Sequence, residues 1–242
     1  MWSFHRLFWS KSLARCSGHG GCPLSGSVKK GRRYEATGFV EGQHEPGSRR
    51  RVLRNLLGIK KKREMERVES REQVRATEEL IDTYGSDHRF AANDIRRIHK
   101  IWLHPIYLWA GEYRKVNMTK GGFTFAAAAQ IPRLMVSFEK ETLRTYTPCR
   151  GKSTEEIVHA LAVVHAELVL IHPFREGNGR VARMLATLMG LQAGLPALDF
   201  SGIRGRRRKE YFAAVQAGIA RDYRPMEKIF NAVIRRTSRK RA

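Results

Sequence analysis

Residues 172–183 read His-Pro-Phe-Arg-Glu-Gly-Asn-Gly-Arg-Val-Ala-Arg, directly after the apolar run AVVHAELVLI. A histidine, an acid, two glycines around an asparagine and two arginines are more chemistry than a turn requires. A helix N-terminus offers unpaired N–H groups and a partial positive charge, and glycine lets an anion come close to the backbone. If a helix starts near Asn178, then Gly177, Asn178 and Gly179 form such a cradle, with the Asn178 side-chain amide as a further donor. Arg180 and Arg183, three residues apart, share one face of the first turn and can reach the same polyphosphate. Glu176 would repel bare phosphates, and a magnesium ion bridging its carboxylate to phosphate oxygens removes that conflict. His172, closing the preceding helix, can accept the proton of a hydroxyl attacking in line at phosphorus. Phe174 would anchor the loop inward. The set suits nucleotidyl transfer.

The elements that must position these groups follow from periodicity. Ser153 and Glu156 form a capping box, and Ile157, Leu161, Val164, Leu168 and Ile171 keep a 3.6-residue period up to the motif. From Asn178 to Gly194 the chain is apolar nearly all round, which predicts a central, buried helix. Upstream, 61–84 reads as a charged helix with Met65, Val68, Leu80 and Ile81 on its apolar side. Residues 93–103 read as another, with Asn93 as N-cap and Ile95, Ile98 and Trp102 inward. Within 109–125, Val116 and Met118 alternate with polar neighbours, Lys120-Gly121-Gly122 supplies a turn, and Phe123 and Phe125 resume the alternation, which predicts a β-hairpin. Helices are expected at 128–144, 207–220 and 225–236. His165 reads as a buried, hydrogen-bonded residue. The fold class is mainly α, a compact helical bundle with one protruding hairpin. Residues 1–33 are expected to be a basic, disordered extension, also similar to a transit peptide. Residues 34–60 are an irregular arm laying Val52, Leu53, Leu56, Leu57 and Ile59 on the core, 61–236 the helical core, and 237–242 a basic tail.

The 242 residues carry 46 Lys and Arg against 23 Asp and Glu, a formal net charge of +23. Such an excess favours acidic or polyanionic partners, so a nucleic-acid-binding protein on a helical scaffold is the alternative of a different class. The basic clusters RGRRRK and RRTSRKR lack a zinc-finger or aromatic-interleaved RNA pattern. No stretch approaches the roughly 20 apolar residues of a membrane span. Three scattered cysteines suit a reducing, cytoplasmic setting.

HPFREGNGRVAR resembles the Fic-family motif, His-x-Phe-x-(Asp/Glu)-Gly-Asn-Gly-(Lys/Arg)-x-x-Arg, at every specified position. YLWAGEYRKVNMTKGGFTF is similar to the family's flap region, and VLRNLLGI to its N-terminal arm, so the resemblance covers about 34–236. It implies a Fic-type helical bundle that transfers AMP from ATP to a Ser, Thr or Tyr hydroxyl of a target protein, releasing pyrophosphate. His172 would be the base, Glu176 the magnesium ligand, and Gly177, Asn178, Gly179, Arg180 and Arg183 the phosphate cradle. Lys120, Gly121 and Gly122 would belong to a flap that clamps the target by strand addition. Some relatives transfer phosphate, phosphocholine or UMP, and the intact Gly-Asn-Gly favours nucleotidyl transfer. The position aligned with a nucleotide-holding asparagine of some relatives is Gly218.

Many family members are restrained by a helix bearing (Ser/Thr)-x-x-x-Glu-(Gly/Asn), whose glutamate pairs with the second motif arginine, here Arg183. TGFVEG, Thr37 to Gly42, is a formal match with Glu41 as the inhibitory glutamate. Two glycines and the nearby Pro46-Gly47 argue against a stable helix there. Restraint is therefore expected from a separate small, antitoxin-like protein.

Overall fold

The structure, a computed structural model, describes residues 39–239. The expected extension at 1–33, the first residues of the arm and residues 240–242 of the tail lie outside them. In chain order the helices are α1 (Lys62–Thr83), α2 (Ala92–Leu103), α3 (Ile131–Ser137), α4 (Thr154–Ile171), α5 (Asn178–Gln192), α6 (Arg206–Ala217) and α7 (Arg224–Arg239). Between α2 and α3 stands an antiparallel hairpin, β1 (Thr119–Lys120) and β2 (Phe123–Thr124). The mainly α class and the single hairpin agree with expectation.

Apolar content all round places α4 and α5 in the middle. From Ile157 to Ile171, α4 is buried at all but two positions, and it packs against α5, α6 and α7. The capping box at its start is present: Glu156 Oε2 accepts from the Ser153 N–H at 2.8 Å, and Ser153 Oγ from the Glu156 N–H at 3.3 Å. α3 continues through a π-helical turn, Phe138–Leu143, into Arg144–Tyr146.

Three local expectations are corrected. Asn93 does not cap α2. The N-cap is Ala91, whose N–H donates to Asp94 Oδ2 at 2.9 Å, while the Ala92 N–H donates to Glu139 Oε2 at 2.8 Å. A carboxylate from the π-helical turn thus takes the orphan donor that a local cap would otherwise serve. On α1, Ile81 is exposed, and the inward face is Met65, Glu69, Ala76 and Leu80. In the arm, Val52 and Ile59 are buried but Leu56 and Leu57 stay exposed, because Asn55 pins a tight turn there. Its side-chain oxygen accepts from the Leu57 and Ile59 N–H groups, and its amide donates to the Leu53 and Ile59 carbonyls. Among the described residues, no helix is long and apolar enough to cross a membrane.

Candidate active site

The junction between α4 and α5 carries the chemistry. His172 ends α4 in the left-handed region, φ 55° and ψ 58°, a conformation that costs a non-glycine residue free energy and persists only where surroundings hold it. Two backbone bonds do so: its N–H donates to the Leu168 carbonyl at 3.1 Å, and its carbonyl accepts from Arg114 Nε at 2.7 Å. The ring lies against Phe125, centroids 3.7 Å apart and planes 17° apart. Nδ1 sits 3.1 Å from the Val169 carbonyl. A carbonyl only accepts, so Nδ1 carries the proton and Nε2 keeps its lone pair. Burial, opposed by that bond and assisted by the charges of Arg114 and Lys120, lowers its pKa to about 3. The group is a neutral, tautomer-fixed base.

Arg114 couples this base to the hairpin. It is buried, with Nε on the His172 carbonyl at 2.7 Å, Nη1 on Val116 O at 2.7 Å and Nη2 on Ala126 O at 2.5 Å. Val116 and Ala126 are the two feet of the hairpin, so one guanidinium ties both feet to the turn at His172. Burial, offset by the nearby Glu41 charge, lowers its pKa to about 10. At the tip, Gly121 (φ 58°) and Gly122 (φ 80°) make a two-residue turn that needs left-handed backbone at both positions. Lys120 lies 5.1 Å from the Phe212 ring of α6, and the Arg208 guanidinium 5.7 Å from the same ring.

The motif loop is held from within. Phe174, fully buried, stacks on His99 at 3.9 Å. His99 Nδ1 accepts the Gly111 N–H at 2.7 Å, so its Nε2–H donates to the Glu176 carbonyl at 3.1 Å. Burial first, opposed by that bond, lowers its pKa to about 3. Asn178 has a different task from the one expected. Its side-chain oxygen accepts from the Phe174 N–H at 2.8 Å, and its amide donates to the Phe174 carbonyl at 2.7 Å. The side chain closes the loop on itself. Gly177 is needed on two counts: φ is +84°, and an added Cβ would lie 2.5 Å from Trp102 Cζ3. Its missing side chain admits Trp102. At Gly179 a Cβ would meet only Arg183 Nη1 at 3.7 Å and the Tyr211 hydroxyl at 3.9 Å, ordinary contact distances.

Both cradle arginines have polar neighbours. Arg180 Nη2 donates to Glu69 Oε2 at 2.7 Å, and its guanidinium lies 4.5 Å from the Trp102 ring centroid. Arg183 lies beside the Tyr211 hydroxyl and acts on it electrostatically, and that hydroxyl is 2.8 Å from His165 Nε2. His165 is thus buried and hydrogen-bonded as expected, its pKa lowered to about 3 by burial, then by Arg183. Glu176 is exposed. Its Oε1 accepts the Gly177 N–H at 2.9 Å and stands 3.5 Å from Arg180 Nη2, placing a carboxylate on the helix N-terminus beside the arginines. The site therefore presents a neutral base, two guanidiniums, a helix N-terminus and one accessible carboxylate.

Glu41 lies elsewhere. It is buried in a short 3₁₀ turn, Val40–Gly42, and its Oε1 accepts from the Lys115 N–H at 2.6 Å. It supports the base of the hairpin, whereas the polar groups acting on Arg183 are Tyr211, Arg180 and Arg208. Thr37 and Gly38 of its motif are outside the described residues. Gly218 is buried, and a Cβ there would meet Leu170 Cδ1 at 3.1 Å and Ala166 Cβ at 3.4 Å, so a side chain at that position would be tightly packed against α4. Glu69, His99, Arg114 and Tyr211 all support the site, and none lies within the motif. The one sequence signal for any of them is the Trp-Ala-Gly-Glu-Tyr-Arg stretch, which marks the vicinity of Arg114 without its role.

The Fic/DOC family profile matches residues 89–189, from the turn before α2 almost to the end of α5. The chain is similar to the protein adenylyltransferase VbhT of Bartonella schoenbuchensis, 33% identical over 163 residues, 67% of this chain and 33% of that protein. It thus spans about a third of that relative's length. It is also similar to the probable protein adenylyltransferase y4lH of Sinorhizobium fredii, 32% identical over 157 residues, 64% of this chain and 79% of that one. Among solved structures, BepC of Bartonella tribocorum with bound AMPPNP superposes with TM-score 0.63 at 26% identity, covering 75% of this chain and 91% of that one. A motif matched at every specified position, its helix–loop–helix setting and these likenesses agree: the chain belongs to the Fic/DOC family.

Proposed function

We propose that this protein is an adenylyltransferase that moves AMP from ATP to a Ser, Thr or Tyr hydroxyl of a target protein, its active domain spanning 34–236. The observation that carries this is His172, a half-buried neutral imidazole with Nε2 unprotonated, beside a helix N-terminus flanked by two arginines. The hydroxyl oxygen attacks the α-phosphorus while its proton passes to His172 Nε2. The bond from that phosphorus to the bridging oxygen breaks, and pyrophosphate leaves. Arg180, Arg183 and the backbone N–H groups at the start of α5 hold the phosphates and stabilise the negative charge that builds on the leaving group.

Magnesium fits the donor set. Among the described residues no three His, Cys, Asp or Glu side chains gather into a metal site, and magnesium with nucleotides commonly takes one carboxylate plus phosphate oxygens and waters. Glu176, accessible at the cradle, is that carboxylate. Bound there, the ion would neutralise phosphate charge and orient the polyphosphate. The exposed edges of β1 and β2 suit a target segment added as a strand, and Lys120, Gly121 and Gly122 form the tip it would meet. We place restraint of the enzyme in a separate small partner, because Glu41 spends its carboxylate on Lys115. A cytoplasmic setting accords with the free, buried Cys149.

The test is mass spectrometry of proteins incubated with the enzyme, ATP and magnesium. A covalent AMP adduct is expected with wild type and none with His172→Ala, which should still bind ATP. Adduct formation at the wild-type rate by His172→Ala would defeat the mechanism.

A further inference from the structure

Arg180 is held by a carboxylate 111 residues away in sequence. Glu69 is 5% exposed, on the inward face of a helix otherwise dense in solvated charge. Each of its acceptors is engaged. Oε1 takes the Tyr107 hydroxyl at 2.8 Å, Oε2 takes Arg180 Nη2 at 2.7 Å, and its backbone carbonyl takes the Trp102 indole N–H at 2.9 Å. The Arg180 guanidinium carbon in turn lies over the Trp102 ring, 4.5 Å from its centroid, and that ring fills the space that Gly177 leaves. Tyr107 stacks on Trp109 at 4.5 Å, which fixes the hydroxyl that orients the carboxylate. A buried carboxylate costs free energy unless paired, and two groups, the Tyr107 hydroxyl and the Arg180 guanidinium, pair and orient this one.

Resting on the nucleotide-transfer reading above, we propose that Glu69 is a positioning residue for catalysis. With Tyr107 and Trp102 it grips one edge of the Arg180 guanidinium and presents the other edge to the nucleotide phosphates. An arginine free to rotate would have to be ordered at each turnover, and one already fixed needs no reorganisation as charge builds on the departing pyrophosphate. The carboxylate also offsets the repulsion between Arg180 and Arg183, which stand close enough to act on one another. Glu69 acts through Arg180 and touches no substrate itself.

The experiment is a double-mutant cycle on the full chain, reading kcat and KM for ATP in adenylyl transfer, with thermal unfolding in parallel. Glu69→Gln keeps the side chain's size and an acceptor but removes the charge, and kcat/KM is expected to fall roughly 10–100-fold. Arg180→Ala should fall at least as far. Adding Glu69→Gln to Arg180→Ala should then cost less than threefold, since the residue it serves is gone. If Glu69→Gln does not fold, Tyr107→Phe removes only the orienting hydroxyl and enters the same cycle, with the same non-additivity expected. Additive losses would overturn the proposal and make Glu69 a fold residue. So would wild-type kcat/KM in a folded Glu69→Gln. Wild-type protein that transfers no AMP would instead defeat the functional reading, which separates the two failures.

Discussion

Replacing Arg114 with methionine removes a side chain that holds His172 and both feet of the hairpin together. The change keeps an apolar stem of similar length but strands three buried carbonyls, those of His172, Val116 and Ala126. An unsatisfied buried acceptor costs about 1–3 kcal/mol, so the gross loss is roughly 3–9 kcal/mol by that rule. Part is offset, because the variant no longer buries a guanidinium and water can reach some of the carbonyls. Removing one partner of a buried charged network typically costs about 3–5 kcal/mol net. A domain of this size loses about 2–4 °C of Tm per kcal/mol, so a drop of roughly 6–20 °C is expected, from a fold whose total stability is about 5–15 kcal/mol. Activity should fall further than stability. With its carbonyl released, His172 has less to hold it in the left-handed region, and a displacement of about 1 Å at a reacting group can cost about a hundredfold in rate. Arg114→Lys should rescue neither property, because one ammonium cannot occupy the three nitrogen positions of the fork. The assay is calorimetric unfolding beside AMP transfer to a fixed acceptor. Wild-type Tm and transfer in either variant would refute the stapling role.

Three further outcomes are expected. Gly177→Ala places a side chain at φ +84° and a Cβ 2.5 Å from Trp102 Cζ3, for about 1–2 kcal/mol of backbone strain plus about 1–3 kcal/mol of overpacking. Unchanged thermal unfolding would contradict it. His99, His165 and His172 have folded-state values near 3 against 6.5 when unfolded. The unfolded chain therefore binds more protons, so their stability is complete above about pH 6.5 and is lost as pH falls toward the folded values. Between pH 7 and pH 5 that amounts to about 2 kcal/mol per histidine, to be checked by urea unfolding at the two pH values, and pH-independent stability would rule it out. Glu41→Gly should lower Tm by a few degrees, since a part-buried Lys115 N–H loses its acceptor at roughly 1 kcal/mol, and should leave transfer no faster than wild type. Strong activation would show that Glu41 restrains the enzyme.

The motif's chemistry and the helices that flank it were legible in the sequence because both are local. The capping box at Ser153 and Glu156, the 3.6-residue period of α4, the Gly-Gly turn and the order of His172, Glu176, Arg180 and Arg183 each occupy a few consecutive turns of chain. What each group can do depends on contacts that no local pattern encodes. Arg114 reaches His172 across 58 residues, Glu69 reaches Arg180 across 111, and Tyr211 reaches His165 across 46. An arginine, a glutamate and a tyrosine at those positions look like surface residues in sequence, since burying them is favourable only when specific partners arrive from elsewhere in the fold. The same limit explains the errors. Asn178 carries a side-chain amide that could have served a phosphate, and it is the tightness of the loop around Phe174 that claims it. Ile81, Leu56 and Leu57 are apolar, yet burial belongs to whichever side chains the neighbouring elements cover, and there the packing covered others. Residue types and spacing set the reaction this chain is equipped to perform. Tertiary packing alone decided which groups surround the His172 ring, hold Arg180 and tie the hairpin to the His172 turn, because those bonds form only between segments that folding brings together.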